Sequence, residues 1–343
     1  MVRVLFTSSG RRVSLLRFFR ESALRYELPI EIHAGDILAT APTWQVADRT
    51  HLLPRCGSPE YVSRVLEICT EYAIDLLIPL IDPELSVLAS AANRFHDAGV
   101  DLVVSDLATI EIAADKLRTH EHCQKADIAS ARTWDVASGD VPQDARFPLV
   151  VKPRRGSAAA GVSVVRDREE FAFCVQQLVN PCAQELLEGC EYTMDVLVDS
   201  KGSPLCIVPR ERWETRAGEI SKGVTLLDDE LIRATTRLIR SLPGVRGPVN
   251  CQAFRTEPGA PIRFNDINTR FGGGYVLSYR AGADFPAALL LARLGREIPA
   301  DDVFRPRSGV VLLRYDDELV TDLDALERLG FDRSNRFPGG LVR

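Results

Sequence analysis

None of the eight cysteines stands in a Cys-x-x-Cys pair, which argues against a metal cluster or a disulfide framework and favours reduced thiols. No apolar run approaches the length needed to span a bilayer. The opening MVRVLFTSSGRRV is too briefly apolar for a secretory signal, so the cytoplasm is the expected compartment. An excess of basic residues is also missing. The formal net charge of −6 leaves no footprint for nucleic acid, although a local basic cleft for a phosphate ligand stays open. Two phosphate-binding signatures are absent: no loop ends in Gly-Lys-Ser/Thr, and Ser8-Ser9-Gly10-Arg11-Arg12 supplies one glycine of the three in G-x-G-x-x-G. There is no internal repeat and no low-complexity linker. What remains is a globular composition, 45% hydrophobic and 26% charged, in 343 residues, enough for two or three structural units.

The first hundred residues alternate strand and helix patterns. Val2–Phe6 reads as a buried strand ending in Thr7-Ser8-Ser9-Gly10, and the next helix has an apolar face of Val13, Leu15, Leu16, Phe18 and Phe19. Pro29–Ala34, His51–Leu53, Leu76–Ile81 and Asp101–Val104 are further strands, with a helix over Tyr61–Tyr72 and another opened by Asp82-Pro83-Glu84. This alternation predicts βαβ units and a parallel sheet. Ligands of such sheets sit beyond the carboxyl ends of the strands, where Ser8, Ser9, Gly10, Asp36, Asp82 and Glu84 fall.

Beyond about residue 110 the pattern becomes α+β. A helix over Glu111–Lys125 precedes strands at Phe147–Lys152, Val162–Val165, Gln184–Leu187, Glu191–Asp199 and Leu205–Val208, and a hairpin joins Val249–Thr256 to Ile262–Phe271. In Glu191–Asp199, Tyr192, Met194, Val196 and Val198 alternate with Glu191, Thr193 and Asp195, the mark of a half-buried strand.

Three segments carry chemistry. In Asn265-Asp266-Ile267-Asn268-Thr269-Arg270, side chains two apart share a strand face, so Asp266, Asn268 and Arg270 project together while Ile267 faces the core. An oxygen-rich face beside a cation suits Mg²⁺ and phosphate, and Gln252 on the partner strand offers a third oxygen ligand; a polar, solvated hairpin face is the other reading. Lys152, followed by Pro153-Arg154-Arg155 and the small-residue loop Gly156, Ser157 to Gly161, can meet phosphate oxygens with backbone N–H groups close by; a surface hairpin with arginines in water is the other reading. The stretch Gln184 to Tyr192 can offer an extended backbone edge to a planar base, Leu187 can pack on it, and Glu191 can accept from ribose hydroxyls; a glycine turn between two strands is the plainer reading. His120-Glu121-His122 is not a metal pair, because residues two apart on a helix point in different directions.

These segments, in this order, resemble the ATP-grasp superfamily, and in particular its carbamoyl-phosphate-synthase-like members. The resemblance covers nearly the whole chain and implies a Rossmann-like preATP-grasp domain at 1–110, an ATP-grasp domain at 111–300 with a lid at about 125–187, and a C-terminal segment at 301–343 packed on it. Lys116, after Asp115 at a helix start, would reach the phosphates, as would Lys152 before the flexible loop. Glu185 and Leu187 match the hinge that meets adenine through its backbone, and Glu191 matches the ribose-binding glutamate. Asn250-Cys251-Gln252 resembles the N-x-Q metal strand, and Asp266-Ile267-Asn268-Thr269-Arg270 resembles E-x-N-P-R, with Asp266 in place of the usual glutamate and Thr269 in place of proline. The charged stretch Pro209–Gly223 resembles segments that line the cleft, so Arg210, Arg212 or Lys222 would hold an acceptor carboxylate or the γ-phosphate; a solvated loop is the alternative. Tyr275, Ser278 and Arg280 are further substrate contacts on this reading.

The implied activity is ATP-dependent ligation of a carboxylate to an amine through an acyl phosphate, with ATP and Mg²⁺ as cofactors and Mn²⁺ as an alternative cation. Lys116 and Lys152 offset phosphate charge, Gln252, Asp266 and Asn268 hold the metal, Arg270 steadies the transferred group, and the loop closes over it. Partners are a small carboxylate, with an amino acid foremost, and an amine, in a monomer or a homodimer. Three rivals are carbamoyl-phosphate-synthase-like activity, a non-catalytic ATP-binding regulator and a nicotinamide-dependent oxidoreductase.

Overall fold

The computed structural model describes residues 1–156, 161–216 and 218–332. The chain opens with β1 (Val2–Thr7), α1 (Val13–Arg25), β2 (Ile30–Asp36), β3 (Arg49–Leu52), α2 (Tyr61–Glu71), β4 (Leu76–Pro79), α3 (Asp82–Ser90), α4 (Ala92–Asp97) and β5 (Asp101–Leu102). The strands are all parallel in the order β3-β2-β1-β4-β5, so β1 lies at the centre. Its near-continuous apolar run, buried at Val2, Val4, Leu5 and Phe6, is what a strand covered on both faces requires. Helix α1 sends Leu15, Leu16, Phe18 and Phe19 into this core, in the spacing its sequence predicts.

The helix expected over Glu111–Lys125 is two helices, α5 (Leu107–Ala114) and α6 (Lys116–Lys125). Asp115 between them is extended, and its carboxylate accepts from the N–H groups of Leu117 and Arg118, a cap that starts α6 afresh. An antiparallel sheet follows, built from β6 (Thr133–Asp135), β7 (Leu149–Pro153), β8 (Ser163–Val165), then α7 (Arg168–Gln176) and β9 (Pro181–Glu185), in the order β6-β9-β7-β8. Its own core joins Val136, Leu149, Val151 and Phe171.

The third sheet takes β10 (Cys190–Val198), β11 (Pro204–Arg216), β12 (Glu219–Thr225), α8 (Asp229–Ser241), β13 (Gly247–Arg255) and β14 (Arg263–Asn268). The charged stretch Pro209–Gly223 is no loop: β11 runs on past Val208 to Arg216 and pairs antiparallel with β12. After β14 come α9 (Tyr275–Ala281), α10 (Phe285–Arg293), α11 (Ala300–Val303), β15 (Val311–Leu313) and α12 (Leu323–Arg328). β15 adds an edge strand to β12, completing the order β14-β13-β10-β11-β12-β15. Helices α9 and α10 pack against α1, and Phe271, Tyr275, Tyr279 and Phe285 share one core with Phe6, Phe18 and Phe19. The first and last parts of the chain are therefore joined by packed aromatics rather than by a linker. Residues 333–343 of the expected C-terminal segment lie outside the described residues.

Candidate active site

The centre of the site is one face of the third sheet. Strand pairing places Asn268 opposite Asn250 and Asp266 opposite Gln252; across the next ladder Asn250 faces Asp195 and Gln252 faces Thr193, and Thr193 in turn faces Arg210. Because side chains alternate, these polar groups line one surface in two rows across four strands. The intervening Met194, Val196, Cys251 and Ile267 turn the other way, into the core under α8. One period-two pattern thus makes both the core and the site.

Two lysines reach this surface from elsewhere. Asp115 caps α6 and also binds Arg154 at 2.7 and 2.8 Å, tying the helix start to the end of β7. Lys116 Nζ then donates to the Gly156 carbonyl at 2.7 Å and stands 3.5 Å from Asp266 Oδ1. Lys152 Nζ donates to Gln184 Oε1 at 2.7 Å, inside the antiparallel sheet. Both lysines are only 8% exposed. Burial lowers the pKa of Lys152, the neighbouring Lys116 lowers it further, and Asp266 opposes the shift. Two buried ammonium groups thus converge on one carboxylate, an arrangement that favours an added polyanion.

Of the expected metal ligands, Asp266, Asn268 and Gln252 are brought together. Asn268 Nδ2 donates to Asp266 Oδ2 at 3.1 Å and to Asn250 Oδ1 at 3.3 Å, which leaves Asn268 Oδ1 turned towards Arg270. Among the described residues no cluster of three or more His, Cys, Asp or Glu forms a metal cage. One carboxylate with amide oxygens fits Mg²⁺ that draws the rest of its shell from phosphate and water.

The residues expected to meet the nucleoside lie as follows. Glu191 is held by Arg212, with burial raising the carboxyl pKa against the pull of Arg212 and Arg210. Glu185 ends β9, where its backbone N–H donates to the Arg132 carbonyl, and hydrogen bonds from Arg263 hold its carboxyl below the usual range; Leu187 lies between β9 and β10. Gly156 and Gly161 flank the expected phosphate loop, and Ser157 falls outside the described residues.

The remaining candidates divide. Arg270 makes a two-pronged pair with Asp82 of the first sheet at 2.9 and 2.7 Å, beside Asn268. Arg210 is buried against Asp195 at 2.9 Å, and Asp195 also accepts from Ser278 Oγ at 2.6 Å. Lys222 is kept apart: its half-exposed ammonium pairs with Glu214 at 2.8 Å on the far part of the hairpin. Tyr275 and Arg280 are also drawn elsewhere, Tyr275 into the aromatic core and Arg280 to Glu21. His120 and His122 bind Ser130 and Ser241 separately, as two directions on a helix require.

Sequence reasoning passed over Asp195 as a site residue, as it did Glu219 and Arg314. Asp195 had a signal, an acid on a buried strand face; the other two are neighbours of the site through packing alone. The triple glycine after Arg270 also has a reason. A Cβ on Gly273 would lie 2.2 Å from Glu219 Oε1, and one on Gly274 would lie 2.5 Å from the Arg210 guanidinium. Side chains there would expel both groups.

The chain carries an ATP-grasp domain by its family match, set on a parallel-sheet domain followed by two antiparallel sheets that bring buried lysines to one face. Residues 4–103 match the family described as PylC-like, N-terminal domain, and residues 177–316 match the family described as ATP-grasp in the biosynthetic pathway with Ter operon. The chain is 21% identical over 320 residues to the carbamoyl phosphate synthase large chain of Synechocystis sp., covering 86% of this chain and 29% of that one. It is 26% identical over 203 residues to the vancomycin/teicoplanin A-type resistance protein VanA of Enterococcus faecium, covering 52% and 59%. The chain therefore spans less than two thirds of either relative's length. In fold it is similar to the L-amino acid ligase of Bacillus licheniformis, with a TM-score of 0.67 at 20% identity over 89% of this chain and 78% of that one. Among the described residues no helix is long and apolar enough to cross a membrane.

Proposed function

We propose that the protein is an ATP- and Mg²⁺-dependent ligase that joins a small carboxylate, foremost an amino acid, to an amine. The observation that carries this reading is the convergence of Lys116 and Lys152, both buried, on the Asp266–Asn268–Gln252 face. The ATP-grasp family match and the likeness to ligases support it.

Mg²⁺ held by Asp266, with Asn268 and Gln252 beside it, would neutralise charge on the phosphates during transfer. Lys116 and Lys152 orient the phosphates through charge that is already in place and buried, so little reorganisation is needed. Arg270, fixed by Asp82, presents its guanidinium at the end of the metal face, where a carboxylate receiving the phosphoryl group has to stand. Glu191, with Arg212, fits ribose, and the backbone near Glu185 and Leu187 fits adenine. Arg210 acts by holding Asp195 and the strand register rather than by reaching a substrate. A cytoplasmic homodimer is part of the proposal; cell fractionation and sedimentation check it.

The test is ADP release with carboxylates and amines supplied singly and in pairs. A pair should stimulate release, and Asp266→Ala should abolish it while leaving the fold intact by circular dichroism. Full turnover in that variant refutes the metal assignment, and ATP binding without release for any pair refutes the ligase.

A further inference from the structure

Four arginines crowd the mouth between the first and third sheets, and the proposed nucleotide machinery uses only one of them. Arg12 Nη1 stands 3.4 Å from Glu219 Oε1, and Arg314 Nη1 donates to Glu219 Oε2 at 2.8 Å. Arg314 Nη2 also donates to the Gly273 carbonyl at 2.7 Å, which fixes it beside the glycine loop. Arg270, locked on Asp82, lies close enough to repel Arg12, and Arg11 adds its field to Glu219. At the centre of the cluster two guanidinium groups, Arg12 and Arg314, share the single carboxylate of Glu219, while Arg270 is matched by Asp82.

Arg11, Arg12, Arg314 and Glu219 line a cavity of about 880 Å³, whose lining also sets Arg17 and Arg216 against Asp316, Asp317 and Glu318. The side chains of Arg12 and Arg314 are 22% and 25% exposed there, sheltered yet reachable. Helix α1 opens at the same place, with no side-chain cap and no acidic residue in its first turn. Its free N–H groups add to the positive field. A cavity of this size takes a small molecule, and Gly272 and Gly273 in its lining lie two and three residues beyond Arg270, which stands beside Asn268.

We propose that Arg12 and Arg314, with Glu219 between them, form a subsite for an anionic side group on the substrate, so that the substrate is an acidic amino acid or similar dicarboxylate rather than a neutral one. This rests on the ligase reading for which carboxylate reacts: one is phosphorylated at Arg270, and the second is held by Arg12 and Arg314. Glu219 already occupies the two arginines, so only a carboxylate that displaces it gains their charge-assisted bonds, while the arginines themselves repel a cationic side group.

The experiment is calorimetric titration of the full chain, with a non-hydrolysable ATP analogue and Mg²⁺ present, using glutamate, aspartate, O-phosphoserine, glutamine and lysine as probes. Glutamate or aspartate should bind about tenfold or more tightly than glutamine, the scale of one charge-assisted contact. Arg314→Met should erase that preference, Arg314→Lys should restore part of it, and Glu219→Gln should strengthen acid binding by removing the competing carboxylate. All three variants should hold the ATP analogue as the wild type does. Equal binding of glutamate and glutamine, binding of neither, or a parallel loss of both in Arg314→Met overturns the subsite. Preference for O-phosphoserine over glutamate supports the anion site and overturns the dicarboxylate. Selective acid binding without any ADP release when true ATP is supplied leaves the subsite standing and overturns the ligase reading alone.

Discussion

Lys152→Met should weaken nucleotide binding without a matching loss of stability. Lys152 is a buried cation that donates to Gln184 Oε1, and it shares Asp266 with the equally buried Lys116. Methionine keeps the length of the side chain and removes the charge. Replacing a whole buried ion pair or triad with apolar groups of similar volume commonly stabilises by about 1–4 kcal/mol, and the loss of Lys152 alone approaches that case because Asp266 keeps Lys116 as its partner. Against this, Gln184 Oε1 loses its partner at a cost of about 1–3 kcal/mol. The nucleotide-free protein should therefore lie between about 2 kcal/mol less and about 3 kcal/mol more stable than the wild type. Loss of one hydrogen bond from a charged donor to phosphate, about 1.5–3 kcal/mol, should weaken ATP binding roughly 10- to 150-fold. Urea denaturation and calorimetry with ATP and Mg²⁺ read the two quantities. The sign with pH follows from burial. The folded-state pKa of Lys152 lies below its ordinary 10.5, so the unfolded chain binds the proton more firmly and wild-type stability is gained as pH rises from the depressed value towards 10.5. The difference between variant and wild type should shrink over that window. A variant destabilised by more than about 2 kcal/mol with unchanged ATP affinity would refute the reasoning and make Lys152 a structural partner of Gln184.

Two further perturbations test the frame. Gly274→Ala places a methyl group 2.5 Å from the Arg210 guanidinium, which Asp195 holds in place, and should cost about 1–3 kcal/mol in urea denaturation; an unchanged midpoint shows that the pair can shift freely. At the edge of the first sheet, His33 Nδ1 lies 2.9 Å from His51 Nε2, faced by Glu31, Arg49, Arg3, Arg64 and Tyr72. Burial, then His33, lowers the His51 pKa from 6.5 to about 4. Stability conferred by the neutral pair is complete above pH 6.5 and falls away as pH drops towards 4, by on the order of 1–2 kcal/mol after solvent screening. His51→Gln should flatten the decline, and an equally steep fall in the variant removes the pair as its cause.

Much of the site was legible in the chain because it is written in strand periodicity. Asp266, Asn268 and Gln252 share a face for the same reason that Ile267 and Cys251 share the core, and a period of two needs no tertiary knowledge. The alternation of the first hundred residues likewise announced a parallel sheet, since continuous apolar strands flanked by helices have few other ways to be covered. Lys116 and Lys152 were recognisable only as members of an ordered set of motifs, because a single lysine at a helix start or a strand end has no periodic signature.

Other features had no local mark. The break at Asp115 depends on Arg154, thirty-nine positions away, which makes an interruption in an otherwise helical pattern favourable. The continuation of β11 through a run of charges depends on Asp195 and Glu191 on the neighbouring strand, which neutralise Arg210 and Arg212. Lys222 sat in the same charged run as Arg210 and Arg212, yet its pair with Glu214 holds it away from the other candidates. The sequence by itself determined the class of fold and which side chains share the Asp266–Asn268–Gln252 face, because both follow from alternation along single strands. Only the tertiary structure decided which charges meet: Arg270 with Asp82, and Arg12 with Glu219 and Arg314, are encounters between distant segments set by how α1, α9 and α10 pack.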